Sequence, residues 1–458
     1  MLAAIHLPLL AGVGVAAAVI AGSGLARVTR IPAPVYYVLA GLAVSAVPGV
    51  EEIRLPPDVV FYGFLPPLLY AAAFLTAPRE ARANWRAILL LAFGLTAATV
   101  FAVGGIARAL VGASGFVLGA VLAPTDPVTA TAVIGTSSAP ERLRTILEGE
   151  SLVNDGVGLV AFSVAVTAAT QGNFSVGDGI LKFLQLSAGG IAFGVLLGAV
   201  VEVVRRRVHD VEIETAISLL TPYLAYIPAE RLHLSGVLAT VSVGLFLGWR
   251  SEGIFRPEVR VQSLAFWNIL TFVLSSVLFV LLGTQLRPVA ARLHDISNWT
   301  LARDAAVVFG AVTLVRLVWM LVVPHGTRRE RLVLGWAGMR GALSLAAALS
   351  IPAAVAHREE ILFLTFTTIL AGLVLLAVPF PWLLDRLGYT AELRNPDREP
   401  LLRAAGVAPA AYLKERRRVL DAERAELRRL EHAGELSHDA ARELERRLDH
   451  EEAALSRR

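Results

Sequence analysis

At positions 148–160 the chain reads Glu148-Gly149-Glu150-Ser151-Leu152-Val153-Asn154-Asp155-Gly156-Val157-Gly158-Leu159-Val160, which places acids, a hydroxyl and an amide at the start of a long apolar run. A carboxylate that enters hydrocarbon costs about 2.5–3.5 kcal/mol on insertion scales, so such a residue usually serves a function. At helical spacing Ser151 and Asp155 share one face, whereas Glu150 and Asn154 share the adjacent face. The alternative is that Asn154 and Asp155 only cap a following helix, but they lie well inside a segment of membrane length. We therefore interpret Asp155 as a binding residue.

The composition is that of an integral membrane protein. Of 458 residues, 55% are hydrophobic and only 17% are charged, and the mean hydropathy is +0.63. Soluble domains carry about 25% charged residues. The absence of cysteine excludes disulfides and thiolate metal sites. The net charge of +4 is small, and no concentrated basic face is present, so a nucleic-acid partner is not expected.

Apolar segments long enough to cross a bilayer recur along most of the chain. We expect an all-α polytopic membrane protein with about thirteen transmembrane helices, because a span needs roughly 20 apolar residues. The segments lie near 5–26, 33–48, 58–77, 86–111, 114–136, 145–170, 178–204, 211–228, 232–249, 261–286, 300–323, 331–355 and 360–384. The first segment has no basic residues before it, so we interpret it as a retained span and not as a signal peptide.

The distribution of charge predicts an orientation and a second domain. Arginines are far more frequent in the odd-numbered connections, which predicts an N-terminus outside the plasma (inner) membrane and a cytoplasmic C-terminus. Residues 1–388 would form the transmembrane domain, and residues 389–458 a cytosolic, charged, helical tail. Leucines at seven-residue spacing, followed by Gly434 and Ser437 as stop and start signals, predict a helical hairpin over 410–432 and 437–456. The alternative is a solvated charged tail.

The fifth predicted span contains a helix break. Its middle reads Ala123-Pro124-Thr125-Asp126-Pro127-Val128-Thr129, and the two prolines remove backbone donors and disfavour helix before each ring. Unwound backbone at membrane depth is tolerated only where it is buried in protein or lines a cavity. Thr125 and Asp126 are therefore expected at a break whose free carbonyls and half-helix ends can bind an ion. A simple proline kink is the alternative.

The twelfth predicted span is weakened by glycines and carries a deep arginine. It contains Gly335-Trp336-Ala337-Gly338-Met339-Arg340-Gly341-Ala342-Leu343-Ser344, and its glycines allow close helix packing. Arg340 lies well inside this span, and Arg316 lies deep in the eleventh. Either arginine could instead extend to an interface.

The deep charges do not balance. The three acids and two bases are Asp126, Glu150, Asp155, Arg316 and Arg340. Buried charges must be paired or neutralised, so if Glu150 pairs with one arginine and the others balance locally, one carboxylate must hold a proton or a metal cation. We assign this role to Asp155, because Ser151 and Thr125 can supply neutral oxygen ligands. Removal from water favours the protonated carboxyl, so proton and cation would compete there, which is a mechanism for antiport.

Four motifs occur in a specific order along the chain. They are Phe64-Leu65-Pro66-Pro67-Leu68-Leu69-Tyr70, Thr125-Asp126-Pro127, Glu150-Ser151 with Asn154-Asp155, and Gly338-Met339-Arg340-Gly341. In this combination the chain resembles the NhaP-type sodium/proton antiporters of the first monovalent cation:proton antiporter family, over essentially the whole membrane part. The resemblance implies thirteen spans with an inverted repeat, a six-helix ion-translocating core and a homodimer held by a separate interface domain. It also implies that the unwound fifth and twelfth spans cross near the midplane, beside the sixth.

The same resemblance implies roles for the site residues. Asp155 would carry the cation and the proton, with Ser151 and the Thr125 backbone as the further Na⁺ ligands. Asn154 would orient the site. Asp126 would compensate the charges of the half-helix ends.

The resemblance also implies a structural ion pair and a stoichiometry. Glu150 would pair with Arg340 or Arg316. An Asn-Asp pair in place of two aspartates implies electroneutral exchange of one Na⁺ (or Li⁺) for one H⁺, with no cofactor. Many relatives carry an acid directly after the aromatic residue of the Pro-Pro stretch, where this chain has Ala71. A K⁺/H⁺ antiporter with the same site is therefore the alternative.

Other classes of membrane protein fit the sequence less well. An intramembrane aspartyl protease could use Asp126 and Asp155, but its Gly-x-Gly-Asp signature is missing, and Gly177-Asp178 lies in a predicted loop. A metalloprotease would need His-Glu-x-x-His and a potassium-type channel would need a carbonyl-filter sequence, and neither occurs. The prediction is a secondary transporter and not an enzyme.

Overall fold

A computed structural model of the chain describes residues 2–29, 31–45, 56–76, 78–135, 137–170, 176–208, 210–254, 257–323 and 326–389, with a few positions between 418 and 429. The chain separates into two compact units, Met1–Tyr389 and Thr390–Arg458. The predicted hairpin over 410–432 and 437–456 lies outside the described residues, apart from those few helical positions.

The described part of the first unit consists of helices and their connections and contains no strand. Its helices are α1 (Leu2–Thr29), α2 (Ala33–Val44), α3 (Leu65–Leu75), α4 (Pro78–Ala83), α5 (Trp85–Leu89), α6 (Thr96–Val111), α7 (Gly115–Val121), α8 (Val128–Ile134), α9 (Glu141–Thr170), α10 (Val176–Arg205), α11 (Val211–Arg231), α12 (Gly236–Ile254), α13 (Pro257–Ala291), α14 (Asn298–Val322), α15 (Arg328–Trp336), α16 (Ala342–Leu349), α17 (Arg358–Ala371) and α18 (Phe380–Arg386). Wider, π-helical turns precede α3, join α5 to α6 and follow α17, at Val59–Phe64, Leu90–Leu95 and Gly372–Ala377.

Each predicted span contains helix in the structure, but several ends differ. The sixth begins at Glu141 and not near 145, because its first turn is charged and extends the helix beyond the apolar run. The eighth continues through Pro222 and Pro228 to Arg231. In the described residues six stretches are long and apolar enough to cross a membrane: Trp85–Val121, Glu141–Thr170, Gly179–Arg205, Gln262–Ala291, Asn298–Val322 and Arg358–Arg386. The total of thirteen crossings stays a prediction.

Small residues allow neighbouring helices to pack at close range. Gly41 of α2 lies against the backbone of Val280 in α13, and Gly283 of α13 lies against the backbone of Val38 in α2. A side chain at either glycine would overlap backbone atoms of the facing helix. Such contacts favour association of helices in lipid, where the hydrophobic effect between helices is weak.

Two helices are interrupted, and the interruptions lie against each other. The segment from Leu122 to Pro127 separates α7 from α8, and the segment from Ala337 to Gly341 separates α15 from α16. The backbone N–H of Asp126 donates to the carbonyl of Met339 at 2.9 Å. The unwound fifth and twelfth spans predicted from the sequence therefore meet directly.

Candidate ion-binding site

The two helix breaks are joined by an arginine and by a glycine. The Nη1 group of Arg340 donates to the carbonyl of Pro124 at 3.2 Å, so the second break satisfies a backbone acceptor that the first exposes. The side chain of Asp126 fills the space that a Cβ at position 341 would occupy. Glycine is therefore required at position 341 for the two breaks to approach this closely.

The Asp126 carboxylate lies at the N-termini of two half-helices. Its Oδ1 accepts from the backbone N–H of Val128, in the first turn of α8, at 2.9 Å. Its other oxygen lies against Gly341, the residue before α16. Gly341 has no side chain that could cap the N-terminus of α16. Helix N-termini carry partial positive charge. The Asp126 carboxylate therefore lies where a negative charge is favourable for both half-helix ends, and its compensating role stays a prediction.

Glu150 and Arg316 form an ion pair in the interior. The Nη1–Oε1 and Nη2–Oε2 distances are 2.5 Å and 2.8 Å, and each side chain is 1% exposed. The Nε of Arg316 donates to the carbonyl of Leu334 in α15 at 2.9 Å. Of the two arginines that the sequence offered to Glu150, Arg316 forms the pair, whereas Arg340 contacts the first break. The side chain of Arg316 runs directly along Gly338, where a Cβ would overlap it.

Thr125 connects the first break to α9 through three hydrogen bonds. Its hydroxyl donates to Oε1 of Glu150 at 3.2 Å and accepts from Nδ2 of Asn154 at 2.9 Å. Its carbonyl accepts from the hydroxyl of Ser151 at 2.8 Å. The carbonyls of Pro124 and Thr125 are thus both engaged, and not free as the sequence suggested. Each carbonyl and hydroxyl oxygen has two lone pairs, so the oxygens of Thr125 and Ser151 keep capacity for one further partner.

Asp155 faces a cavity of about 320 Å³ together with Ser151, Thr125 and Asp126. No described residue forms a hydrogen bond or an ion pair with its carboxylate. Of the three deep acids, Asp155 is therefore the one whose carboxylate has neither an ion pair nor a hydrogen bond among the described residues. Close packing holds it in place, because Gly158 of the same helix lies directly against the ring of Pro124.

The cavity has a second, mostly apolar wall and an end with exposed charges. The second wall comes from α3 and α13 and includes Leu65, Leu69, Ala71, Leu278 and Phe279. At one end the cavity reaches Arg144 and Glu148, whose side chains are 46% and 34% exposed and are joined at 2.7 Å. This exposed part of the cavity wall, which we call the cavity mouth, therefore lies near the start of α9.

Some cavity residues were not singled out from the sequence. Thr271 and Ser275 of α13, Ser344 of α16, and the pair at the cavity mouth all line it. Thr271 and Ser275 are four residues apart in an apolar helix, which places two hydroxyls on one face. This spacing could have been noticed in the sequence, but the sequence alone does not show which cavity the two hydroxyls line.

A helical membrane protein in which two broken helices meet beside a deep carboxylate has the architecture of a secondary transporter. Residues 15–386 match the family model described as "Sodium/hydrogen exchanger, transmembrane". The chain belongs to this family of cation/proton antiporters.

Relatives and one solved structure agree with this assignment. The chain is 36% identical over 399 residues to an uncharacterized Na⁺/H⁺ exchanger of Mycobacterium tuberculosis, covering 81% of this chain and 72% of the relative. It is 34% identical to the low-affinity Na⁺/H⁺ antiporter NhaS1 of Synechocystis sp., covering 75% and 67%. The fold is similar to that of the sodium proton antiporter MjNhaP1 from Methanocaldococcus jannaschii, with a TM-score of 0.67, 22% identity, and coverage of 83% of this chain and 99% of that one.

Proposed function

We propose that the chain exchanges Na⁺ (or Li⁺) for H⁺ across the plasma membrane, one for one and without net charge movement. The carrying observation is the cavity-facing carboxylate of Asp155, for which the described residues offer no counter-charge. Glu150 and Arg316 neutralise each other, and Asp126 lies at two helix N-termini. A single unbalanced carboxylate holds either one cation or one proton. Competition for it couples the two flows and would serve pH homeostasis.

The proposed Na⁺ ligands are oxygens that border the cavity with Asp155. They are the hydroxyl of Ser151 and the carbonyl of Thr125, which already lie 2.8 Å apart. Asn154 acts as a positioning residue, because its amide holds the Thr125 hydroxyl at 2.9 Å. Carboxylate, carbonyl and hydroxyl oxygens suit a hard cation.

Sodium is the favoured cargo, and potassium is the second candidate. Relatives named Na⁺/H⁺ exchanger or antiporter support sodium. One reason to keep potassium is that Ala71 borders the cavity at the position where the resemblance led us to expect an acid. The other is a Bacillus subtilis relative, 34% identical, that is named "Sodium, potassium, lithium and rubidium/H(+) antiporter". The alternative of an aspartyl protease is less well supported, because residues 15–386 match the model of a sodium/hydrogen exchanger. We therefore propose transport and not an enzymatic reaction.

The arrangement in the membrane is part of the same proposal. Residues 1–388 form the antiporter domain with the N-terminus outside, residues 389–458 form a cytosolic tail, and two copies form a homodimer. The excess of arginine in odd-numbered connections supports this orientation. The connection before α9 is one of these, so the cavity mouth at Arg144 and Glu148 would face the cytosol.

Proteoliposomes with a trapped pH dye and an imposed pH gradient test the proposal. Addition of Na⁺ or Li⁺ should dissipate the gradient, and clamping the membrane potential with valinomycin and K⁺ should not change the Na⁺-driven rate. Asp155→Asn should abolish exchange, whereas Asp385→Asn, which changes an exposed aspartate of α18, should not. Exchange at the wild-type rate in Asp155→Asn would contradict the proposal. Exchange of K⁺ for H⁺, with no exchange of Na⁺, would support the K⁺/H⁺ antiporter instead.

A further inference from the structure

Ser344 is a buried hydroxyl that the proposed ligand set does not use. It lies in the first turn of α16, just after the break that contains Arg340, and it lines the same cavity as Asp155. Its side chain is 1% exposed, and no described residue forms a hydrogen bond with its Oγ. A buried hydroxyl without a partner is unfavourable, so its presence beside a cavity requires an explanation.

The helix break explains why this hydroxyl has no backbone partner. Some buried hydroxyls in intact helices of the chain donate to the carbonyl four residues earlier, as Thr99 does to Leu95 and Thr365 to Ile361, each at 2.8 Å. The corresponding acceptor for Ser344 is the carbonyl of Arg340. That residue precedes α16, and Gly341 between them has the extended φ and ψ of −145° and −148°. The break therefore separates the Ser344 hydroxyl from this acceptor, in a residue that lines the cavity.

We propose that the Ser344 hydroxyl supplies an additional oxygen ligand to the transported monovalent cation. The inference rests on the proposed function, because it deepens the site at Asp155. Hard cations are bound by several oxygens, and the part of the cavity wall that α3 supplies offers only apolar side chains, among them Leu65, Leu69 and Ala71. A serine on α16 adds an oxygen without adding charge, which keeps the exchange electroneutral. It also makes both broken helices contribute to cation binding.

The affinity for Na⁺ should be measured in two independent ways on the full-length protein. One is the half-saturating Na⁺ concentration for exchange in proteoliposomes. The other is the Na⁺-dependent rise of the unfolding temperature in detergent, which needs no transport. Ser344→Ala should raise the half-saturating concentration by about five- to tenfold in both, the effect of losing one oxygen contact to an ion. Ser344→Cys should do the same, because sulfur fills the space but is a poor ligand for a hard cation.

Ser350→Ala is the matched control. Ser350 follows the other end of α16, and its hydroxyl already donates to the carbonyl of Ala347 at 2.8 Å. This variant should keep the wild-type affinity. If both Ser344 variants keep the wild-type affinity for Na⁺, the inference is wrong and the proposed function stands. This holds even if their unfolding temperature without Na⁺ is lower than that of the wild type. If the wild type moves no protons in response to Na⁺, the proposed function fails, while the unfolding measurement still decides the role of Ser344.

Discussion

Replacing Glu150 by glutamine should destabilise the protein more than any comparable change in a surface ion pair. Glu150 and Arg316 are each 1% exposed and are joined by two hydrogen bonds of 2.5 Å and 2.8 Å. Glu150→Gln keeps the shape but leaves the guanidinium buried without a counter-charge. Removing one partner of a buried pair costs about 3–5 kcal/mol. We expect the lower half of that range, because the amide oxygen can still accept from Thr125 and Arg316.

The free energy of unfolding can be followed by equilibrium denaturation with SDS in mixed micelles. Glu359→Gln is the matched control, because Glu359 is 34% exposed and forms partly exposed ion pairs with Arg292 at 3.1 Å and Arg358 at 2.7 Å. Its cost should stay below about 1 kcal/mol, as for other exposed pairs. The double variant Glu150→Gln/Arg316→Met should regain stability relative to Glu150→Gln, because methionine removes the unpaired charge. Equal costs for Glu150→Gln and Glu359→Gln, or purely additive costs in the double variant, would refute the reasoning.

Two further changes test the helix crossing and the cavity mouth. Gly341→Ala places a Cβ where the Asp126 side chain lies, so the rate of exchange, measured by dye quenching in proteoliposomes, should fall at least tenfold. Gly105→Ala, whose Cβ would meet nothing within 4 Å, should leave the rate unchanged. Equal rates in the two variants would contradict the close crossing of the two helix breaks. Arg144→Gln frees Glu148 from its 2.7 Å ion pair at the cavity mouth, so the half-saturating Na⁺ concentration should fall by about two- to fivefold at low ionic strength. The effect of Arg144→Gln should shrink as the salt concentration rises, and an unchanged or higher half-saturating concentration would show that the mouth does not attract the cation.

The helix breaks could be predicted from the sequence because their causes are local. Two prolines on either side of Thr125-Asp126 cannot continue a helix, and three glycines weaken the twelfth span. The separation of the Ser151–Asp155 face from the Glu150–Asn154 face follows from helical periodicity alone. Both features are present in the structure, where Asp155 faces the cavity and Glu150 faces Arg316.

The partner of Glu150 could not be predicted, because it depends on the packing of distant helices. Arg316 is 166 residues away in the sequence, and Arg340 has the same charge at a similar depth. The crossing of the two helix breaks decides which arginine pairs with Glu150, because Arg340 donates a hydrogen bond to the carbonyl of Pro124 instead. The π-helical turn at Gly372–Ala377 has no local sequence signal of this kind. The unpaired hydroxyl of Ser344 likewise follows from the geometry of the break.

We propose that one carboxylate, Asp155, holds either the cation or the proton. The direct measurement is the number of protons that the purified protein releases when Na⁺ binds, recorded with a pH indicator in weakly buffered detergent solution over a range of pH. We expect a release that approaches one proton per Na⁺ at the acid end, falls to zero at the alkaline end, and is absent in Asp155→Asn. Release of no protons by the wild type at any pH at which Na⁺ binds, or an equal release from Asp155→Asn, would contradict the proposal.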